Sequence, residues 1–330
     1  MKIEEREIPA PESDEALVEV KACGICMTDV HISKGQFGVS DPLVLGHEFS
    51  GVVKEIGDNV SKYDVGDRVS VNPIISCGNC EFCIAGRTNL CENGKILGGA
   101  GDVIIDGGFQ EYTTVPGDNL GALNQKTSFE KGAFSEPLGC AVRGIRRADI
   151  SSGDRVLIIG AGPMGLLLLQ LAQLQGTSEI TISELKEERR KVARKLGADR
   201  VLDPNQTDVV SKVKENVGKG VDISMEAVGT SQTVRDAIDS LKVGGKILVF
   251  GVPPEDATIS LNIFDVYFDE IDVVGSYAID KNSFRRSVSL LNGDKINTED
   301  LVTHRFQLAE LENAIELNEQ RVGLKKIVKF

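Results

Sequence analysis

Four cysteines stand close together, and their spacing is suited to holding one metal ion. Cys77, Cys80, Cys83 and Cys91 form a C-x2-C-x2-C-x7-C array, so that one loop can present four thiolates tetrahedrally. Four cysteine ligands favour a structural zinc site, because they leave no open position for catalysis. An iron–sulfur cluster also uses four cysteines, but the usual ferredoxin spacings differ and keep a proline after the last cysteine. An unmetallated, reduced loop is the remaining alternative.

A second group of potential ligands lies nearer the N-terminus. The chain has three histidines, and the best placed of them is His47, which Glu48 follows directly. Upstream the sequence gathers a soft ligand, a hydroxyl, a carboxylate and an imidazole, in the order Cys26, Thr28, Asp29 and His31. A lone cysteine is usually a small buried hydrophobe, and a lone histidine is more often a satisfied polar residue than a ligand. The grouping of these residue types therefore favours a second metal site, which no single member would.

A glycine-rich turn indicates a dinucleotide site. The run Gly160-Ala161-Gly162-Pro163-Met164-Gly165 follows the apolar strand pattern 155–159 and opens an apolar helix, as the G-x-G-x-x-G fingerprint requires. Gly160 can turn tightly, Gly162 lets the backbone approach a pyrophosphate, and Gly165 lets the helix pack on the sheet. The helix N-terminus stabilises the negative charge of the pyrophosphate. A glycine-rich turn in an α/β domain that binds no nucleotide is the alternative.

The residue that follows the next strand bears on which dinucleotide binds. Glu184 comes directly after the strand pattern 179–183. A carboxylate at this place can accept hydrogen bonds from the ribose hydroxyls and repel a 2′-phosphate. This favours NAD over NADP. Arg189, Arg190 and Lys191 lie close behind and could attract a phosphate, although a solvated helix face is their more usual role.

Two parts of the chain, with different secondary-structure patterns, must position these groups. In the first third, short β-branched runs at 16–20 and 51–56 end in Gly, Asp or Asn, which predicts strands and turns. The segment from Cys77 to Gly108 has eight glycines and few large apolar residues, so it can bury little core, and the four cysteines are expected to hold it together.

From Gly153 strand and helix patterns alternate, which predicts an α/β fold with a parallel, doubly wound sheet. The predicted strands in that part are 155–159, 179–183, 221–226 and 246–250, with helices ending at 175 and covering 186–196 and 233–241. Helices 284–291 and 308–318 and a closing strand 325–330 follow, and this tail could return to the first domain.

Composition limits the possible partners and the compartment. The 330 residues suffice for two domains, and 41% hydrophobic with 26% charged residues is ordinary globular composition. A net charge of −13 disfavours nucleic acid or an anionic membrane surface as the main partner. No apolar run approaches a membrane span, and the N-terminus does not resemble an export signal. Together with seven cysteines, an odd number, this predicts a reducing, cytoplasmic location.

The motifs together resemble the zinc-containing medium-chain dehydrogenase/reductase family. Gly24-Ile25-Cys26, Gly46-His47-Glu48, the four-cysteine array, Gly66-Asp67-Arg68-Val69 and the glycine fingerprint occur in the family's order and span nearly the whole chain. The resemblance implies a β-rich, GroES-like catalytic domain made of residues 1–137 and 276–330. It also implies a Rossmann domain over 138–275, an active site in the cleft between the two, and one catalytic and one structural zinc per chain.

The resemblance also assigns roles around the catalytic zinc. Cys26 and His47 match the first two ligands and Glu136, in Ser135-Glu136-Pro137-Leu138, matches the third. Many simple alcohol dehydrogenases have a cysteine as the third ligand, whereas a glutamate there is similar to the sorbitol and polyol dehydrogenase branch, in which Glu48 can also bind the metal. Asp29 matches the carboxylate that orients the zinc histidine, and Thr28 and His31 match the proton relay. The resemblance also implies contacts with the coenzyme. The adenosine and pyrophosphate contacts are Met164, Glu184 and Arg189, and the nicotinamide contacts are Gly251, Val252, Ser276 and Tyr277.

The function implied is the transfer of a hydride from a secondary alcohol of a polyol or sugar alcohol to NAD, in a homodimer or homotetramer. Threonine, an amino alcohol or a simple secondary alcohol is the alternative substrate, and an NAD-binding protein with only a structural zinc is the alternative without catalysis. Two departures bear on the substrate. Ala278 stands where animal sorbitol dehydrogenases have an arginine, and Asn89 stands where threonine dehydrogenases have a histidine. Phe37 and Phe264 are expected near the substrate.

Overall fold

The computed structural model describes residues 1–36 and 42–330. Phe37 lies outside the described residues. The chain divides into two compact units, one formed by Met1–Gly139 with Ile279–Phe330 and the other by Cys140–Ala278. The sequence placed these breaks after residues 137 and 275. Unit 1 therefore contains both chain ends, and unit 2 is one continuous segment.

The elements of the described residues follow in chain order. The strands are β1 (Glu15–Gly24), β2 (Glu48–Ile56), β3 (Arg68–Val71), β4 (Ile74–Ile75), β5 (Lys95–Leu97), β6 (Ile104–Ile105), β7 (Tyr112–Pro116), β8 (Leu120–Ala122), β9 (Arg155–Ile159), β10 (Glu179–Ser183), β11 (Arg200–Leu202), β12 (Val221–Glu226), β13 (Leu241–Val249), β14 (Asp272–Gly275), β15 (Val302–Gln307) and β16 (Lys325–Lys329). The helices are α1 (Met27–Ser33), α2 (Glu81–Ile84), α3 (Phe129–Gly132), α4 (Ser135–Ala148), α5 (Pro163–Leu174), α6 (Glu187–Lys195), α7 (Val209–Val217), α8 (Ser231–Asp239), α9 (Ile263–Phe268), α10 (Lys281–Asn292) and α11 (Leu311–Glu319). None of these helices is long and apolar enough to cross a membrane.

Unit 1 is built on a mostly antiparallel sheet. Its strands follow the order β15-β16-β1-β2-β3-β8, with β7 also paired to β1, and a smaller sheet has the order β4-β5-β6. Val18, Phe49 and Val69 are fully buried in one apolar core between these strands. Burial of this apolar area stabilises the unit and fixes the strand register, since a slip by one residue would turn each buried side chain outward.

The register of three strands brings distant segments of unit 1 to one place. Gly24, at the end of β1, lies opposite Glu48, the first residue of β2, and opposite Ile327 of β16. Cys26 lies two residues after the end of β1 and is the N-cap residue of α1. The pairing of the end of β1 with the start of β2 therefore brings Cys26, His47 and Glu48 together, beside β16.

Unit 2 is a doubly wound α/β domain, as the sequence predicts. Its six strands are parallel in the order β11-β10-β9-β12-β13-β14, which is the Rossmann order 3-2-1-4-5-6. The order reverses between β9 and β12, and ligands bind at such a switch point, beyond the carboxyl ends of the strands. Two predicted elements of this unit differ from the structure by two residues or more at a boundary: the strand predicted at 246–250 is Leu241–Val249, and the helix predicted at 233–241 is Ser231–Asp239.

Candidate active site

Three potential ligands converge in unit 1. The Cys26 thiol, an imidazole nitrogen of His47 and a carboxylate oxygen of Glu48 all lie within 4.8 Å of one another. Cys26 is held by its own backbone N–H, which donates to Asp29 Oδ2 at 2.8 Å. His47 and Glu48 are buried, and Cys26 is half-buried. Sulfur, nitrogen and oxygen donors in this arrangement are the donor types that zinc binds.

Buried polar atoms around this cluster match a cation. Asp29 Oδ1 and His47 Nδ1 are buried without a hydrogen-bond partner among the described residues, and they lie 3.6 Å apart. Burial alone would lower the pKa of His47, but the adjacent Asp29 carboxylate raises it well above its usual value. A carboxylate beside a metal-binding histidine fixes the orientation and basicity of the ring. The residues present thus fit a zinc ion held by Cys26 and His47.

The other residues predicted for this site occupy nearby elements. Thr28, in the first turn of α1, has its Oγ1 3.6 Å from Cys26 Sγ. His31 lies in the last turn of the same helix, and its Nδ1 is 2.5 Å from Gln36 Oε1. Glu136 is half-buried in the first turn of α4 and is not a member of the three-residue cluster. Its role as the third metal ligand therefore stays a prediction.

The sequence reasoning missed Lys325, which lies against this site. Its ammonium group pairs with Glu48 Oε2 and donates to the carbonyl oxygen of Ile25 at 3.1 Å. Burial alone would lower the pKa of Lys325, but the charges of Glu48, Cys26 and Glu136 raise it. The only signal in the sequence is a charged residue inside a predicted strand, and lysines in strands are usually exposed.

The four-cysteine loop also gathers its thiols. The four sulfurs lie within 4.8 Å of one another, and the Cys77–Cys83 and Cys80–Cys91 pairs are each 4.0 Å apart. A tetrahedral zinc with Zn–S bonds of about 2.3 Å requires sulfurs about 3.8 Å apart. Backbone N–H groups of Asn79 and Cys80 lower the pKa of Cys77 to about 6, while burial raises that of Cys83 to about 12. A cation among the four sulfurs would favour the Cys83 thiolate as well.

The glycine-rich turn of unit 2 has the geometry that the fingerprint requires. Gly160 has a φ of +100°, which favours glycine, and it follows β9. A Cβ on Gly165 would lie 1.9 Å from the carbonyl oxygen of Gly160, so α5 packs directly on the turn. Gly162 caps α5, and a Cβ there would have 3.8 Å to its nearest neighbour, the Arg189 guanidinium. The N-terminus of α5 is therefore open to an anion, beside a cationic side chain.

Glu184 is tied to this turn. Its Oε2 accepts a hydrogen bond from the Ala161 N–H at 2.8 Å and its Oε1 one from the Lys186 N–H at 2.9 Å. Arg190 is buried and donates to the Glu184 carbonyl oxygen, while its guanidinium pairs with Asp203 at 3.0 Å. Arg190 thus has a structural role in shaping the end of β10.

The predicted nicotinamide contacts lie at the carboxyl end of β13 and after β14. Gly251 packs against Gly229, whose N–H would lie 2.3 Å from a Cβ on Gly251. Val252 and Tyr277 are exposed, and Ser276 accepts a hydrogen bond from Arg143 at 3.0 Å. Sequence reasoning missed the turn after β12, where Glu226, at 0% exposure, accepts the N–H groups of Val228 and Gly229. The pattern of a strand followed by glycine could have identified this turn.

Comparison with known proteins agrees with both units. The family description "Alcohol dehydrogenase GroES-like domain" matches residues 12–125, and "Zinc-binding dehydrogenase" matches residues 163–293. D-arabinitol dehydrogenase 1 of Uromyces fabae is 34% identical over 98% of this chain and 92% of its own length. L-threonine 3-dehydrogenase of Caldanaerobacter subterraneus is 35% identical over 96% of this chain and 91% of its own length.

A solved structure extends the likeness to three dimensions. A zinc-binding dehydrogenase of Sinorhizobium meliloti, determined with NADP, has a TM-score of 0.93 and 36% identity, covering 98% of this chain and 94% of its own. These matches confirm the predicted fold class, a Rossmann domain with a GroES-like catalytic domain. The chain is a dehydrogenase that belongs to the zinc-containing medium-chain dehydrogenase/reductase family.

Proposed function

We propose that this enzyme oxidises a secondary alcohol of a polyol or sugar alcohol, using a catalytic zinc and NAD. The observation that carries the proposal is the buried cluster of Cys26, His47 and Glu48 with the unpartnered atoms beside it. The similarity to a D-arabinitol dehydrogenase supports a polyol as the substrate class. The glutamate at position 136, where simple alcohol dehydrogenases often have cysteine, supports the same class.

In this proposal Cys26, His47 and a glutamate, Glu136 or Glu48, hold the zinc. When bound, a zinc ion supplies Lewis acidity, which lowers the pKa of a hydroxyl at the metal. Asp29 orients His47 through the 3.6 Å contact between Oδ1 and Nδ1. Thr28 and His31, on one helix, move the released proton toward solvent. His47 and Glu48 are buried, and low exposure to water strengthens the electrostatic interactions of these groups.

A second zinc, held by Cys77, Cys80, Cys83 and Cys91, would stabilise the segment from Cys77 to Gly108. NAD binds at the turn from Gly160 to Gly165 in this proposal. The experiment is NADH formation against a panel of polyols, secondary alcohols and threonine, with and without chelator, beside a zinc determination. Chelator-sensitive activity with a polyol and two zinc ions per chain supports the proposal. Inactivity on the whole panel, with one zinc per chain, would favour an NAD-binding protein with a structural zinc only.

Threonine is the second candidate substrate. The observation that favours it is the 35% identity to an L-threonine 3-dehydrogenase over almost the whole chain. The buried Asn89 stands where threonine dehydrogenases have a histidine, which argues for the polyol. A higher kcat/KM with threonine than with every polyol of the panel would reverse this order.

We expect Glu184→Gln to lower the preference for NAD over NADP, measured as the ratio of the two kcat/KM values, by about tenfold. The amide keeps one acceptor for the Ala161 or Lys186 N–H, but it removes the negative charge that would face a 2′-phosphate. The matched control is Glu188→Gln, which removes an exposed carboxylate in the next helix. An unchanged ratio in Glu184→Gln would show that the coenzyme preference is set elsewhere.

We also propose that the protein is a cytoplasmic homo-oligomer. Its seven cysteines, all described, form no disulfide, which suits a reducing compartment. Strand β14 ends the sheet of unit 2, and an antiparallel second copy would place Val273 opposite Val273 of that copy and keep the two Asp272 carboxylates from lying directly opposite each other. Phe264, Tyr267 and Phe268 of α9 are exposed, which suits burial in a dimer, so for Phe264 we propose a contact between copies in place of the position near the substrate that the sequence suggested.

The oligomer proposal predicts that Val273→Glu lowers the molar mass in solution, measured by light scattering, to that of a 35.5 kDa monomer. Val273 is 49% exposed, and two added carboxylates would face each other across the paired strands. Val65→Glu is the control, because Val65 is an exposed valine in a turn of unit 1. A Val273→Glu protein that keeps the wild-type mass would exclude β14 as the contact between copies.

A further inference from the structure

A buried ion pair joins Glu48, at the proposed metal site, to Lys325, which has no part in the chemistry proposed so far. The side chains of Lys325 and Glu48 are 6% and 2% exposed, and the Lys325 ammonium contacts Glu48 Oε2. The same ammonium donates to the Ile25 carbonyl oxygen at 3.1 Å, so its direction is fixed by the backbone that leads to Cys26. Lysine and glutamate are rarely fully buried unless they are paired.

The backbone of β1 makes room for this pair. A Cβ on Gly24 would lie 2.2 Å from Glu48 Oε2 and 2.9 Å from Lys325 Cε. Gly24 lies in a strand, so glycine is needed here for space, because the two charged groups occupy the volume of a side chain. The pair is thus built into the register that joins β1, β2 and β16.

The charges around the cluster explain why a cation is needed. A Cys26 thiolate, Glu48 and Glu136 bring three negative charges to the metal site, in addition to the buried Asp29 carboxylate that faces His47, and a divalent metal balances two of them. Lys325 contributes the third positive charge, and the charges of all three groups act on it. A carboxylate oxygen that is held by an ammonium group is a weaker metal ligand than a free one, because its electron pair is shared.

We propose that Lys325 is a positioning residue of the metal site, which holds the Glu48 carboxylate beside the metal and leaves the third protein ligand position to Glu136. Glu48 is then a reserve ligand, kept within reach but withheld by the ion pair. This inference rests on the proposed catalytic metal at Cys26 and His47. Lys325 acts through Glu48, so a change at residue 325 should alter the metal's coordination.

The test uses Co²⁺ as a spectroscopic probe in the full chain with its structural zinc retained. The difference in visible absorption between the wild type and Cys26→Ser isolates the Co²⁺ bound at this site. We expect Lys325→Met to lower the intensity of the d–d bands by about half or more, because the released Glu48 raises the coordination number. Lys325→Arg keeps the positive charge, so we expect it to retain the wild-type spectrum.

Two further variants keep the test decisive. Lys326→Met removes the neighbouring buried lysine, whose ammonium donates to Asn318 Oδ1 at 3.2 Å, and it should leave the Co²⁺ spectrum unchanged. The double variant Lys325→Met with Glu48→Gln removes both charges together, so it should fold even where the single variant does not. It should show the wild-type spectrum, because neither protein has Glu48 on the metal.

Each outcome bears on one proposal. A wild type without a Cys26-dependent Co²⁺ spectrum would contradict the catalytic metal site itself, and with it this inference. If the wild type shows that spectrum, an identical spectrum in Lys325→Met would overturn the inference alone. A double variant with stronger bands than the wild type would also overturn it, since Glu48 would then be a ligand in the resting protein.

Discussion

Replacement of Cys26 by serine is expected to lower kcat/KM by about 10⁴-fold or more while the protein stays folded. A metal ion can lower the pKa of a bound hydroxyl by several units, so its loss removes most of the catalysis. Serine has nearly the size of cysteine, but a neutral hydroxyl is a poor zinc ligand beside His47. The measurement is steady-state kinetics on the best substrate of the panel, with zinc determined in the same samples. We expect one zinc per chain to be lost and the structural zinc to remain.

Cys140→Ser is the matched control for this prediction. Cys140 is half-buried and is the first residue of unit 2, so its replacement makes the same chemical change in a different environment. We expect it to keep kcat/KM within about threefold of the wild type, because changes away from special sites usually have small effects. A Cys26→Ser enzyme with nearly full activity would contradict the proposal that a metal held by Cys26 takes part in catalysis.

The parts of the fold that could be predicted are those that local sequence determines. The buried strand 155–159 and the glycine turn after it were identified correctly, because glycine and apolar periodicity act over a few residues. Strand β11 was missed because its three residues are too few to show a period. Helix α7 was missed although Val209, Val213 and Val217 recur at helical spacing after the N-cap residue Asp208. Strand β13 begins at Leu241, earlier than predicted. The prediction started at the apolar run that follows Gly245, and it missed the first residues of the strand because Val243 and Gly244 are exposed and do not belong to that run.

The candidate site shows the same limit in its pairings. The sequence placed Cys26 and His47 in one group, but their approach depends on the register of β1 with β2, which joins Gly24 to Glu48. Lys325 arrives from the other end of the chain through β16, and no local pattern marks it as buried. Long-range pairings of this kind depend on the packing of the whole sheet, so they appear only in the structure.

Two glycines of the dinucleotide turn are expected to fail in different ways when they are replaced by alanine. Gly165→Ala should lower the free energy of unfolding of unit 2 by about 2–4 kcal/mol, because its Cβ would meet the backbone of Gly160. Gly162→Ala should change it by less than about 0.5 kcal/mol, since the Cβ has open space and a φ of −67° suits alanine. Denaturant unfolding of the two variants measures both values.

Coenzyme affinity should separate Gly162 from an ordinary surface glycine. The methyl group of Gly162→Ala would occupy the place where the pyrophosphate approaches the N-terminus of α5, so we expect the Kd for NADH to rise at least about tenfold. Fluorescence titration with NADH measures this in a protein whose stability is unchanged. If Gly162→Ala binds NADH as tightly as the wild type, the pyrophosphate does not lie on this turn. A loss of affinity without a loss of stability has no explanation in the packing of unit 2, because a Cβ at this position contacts nothing closer than 3.8 Å, and it would therefore place the dinucleotide there.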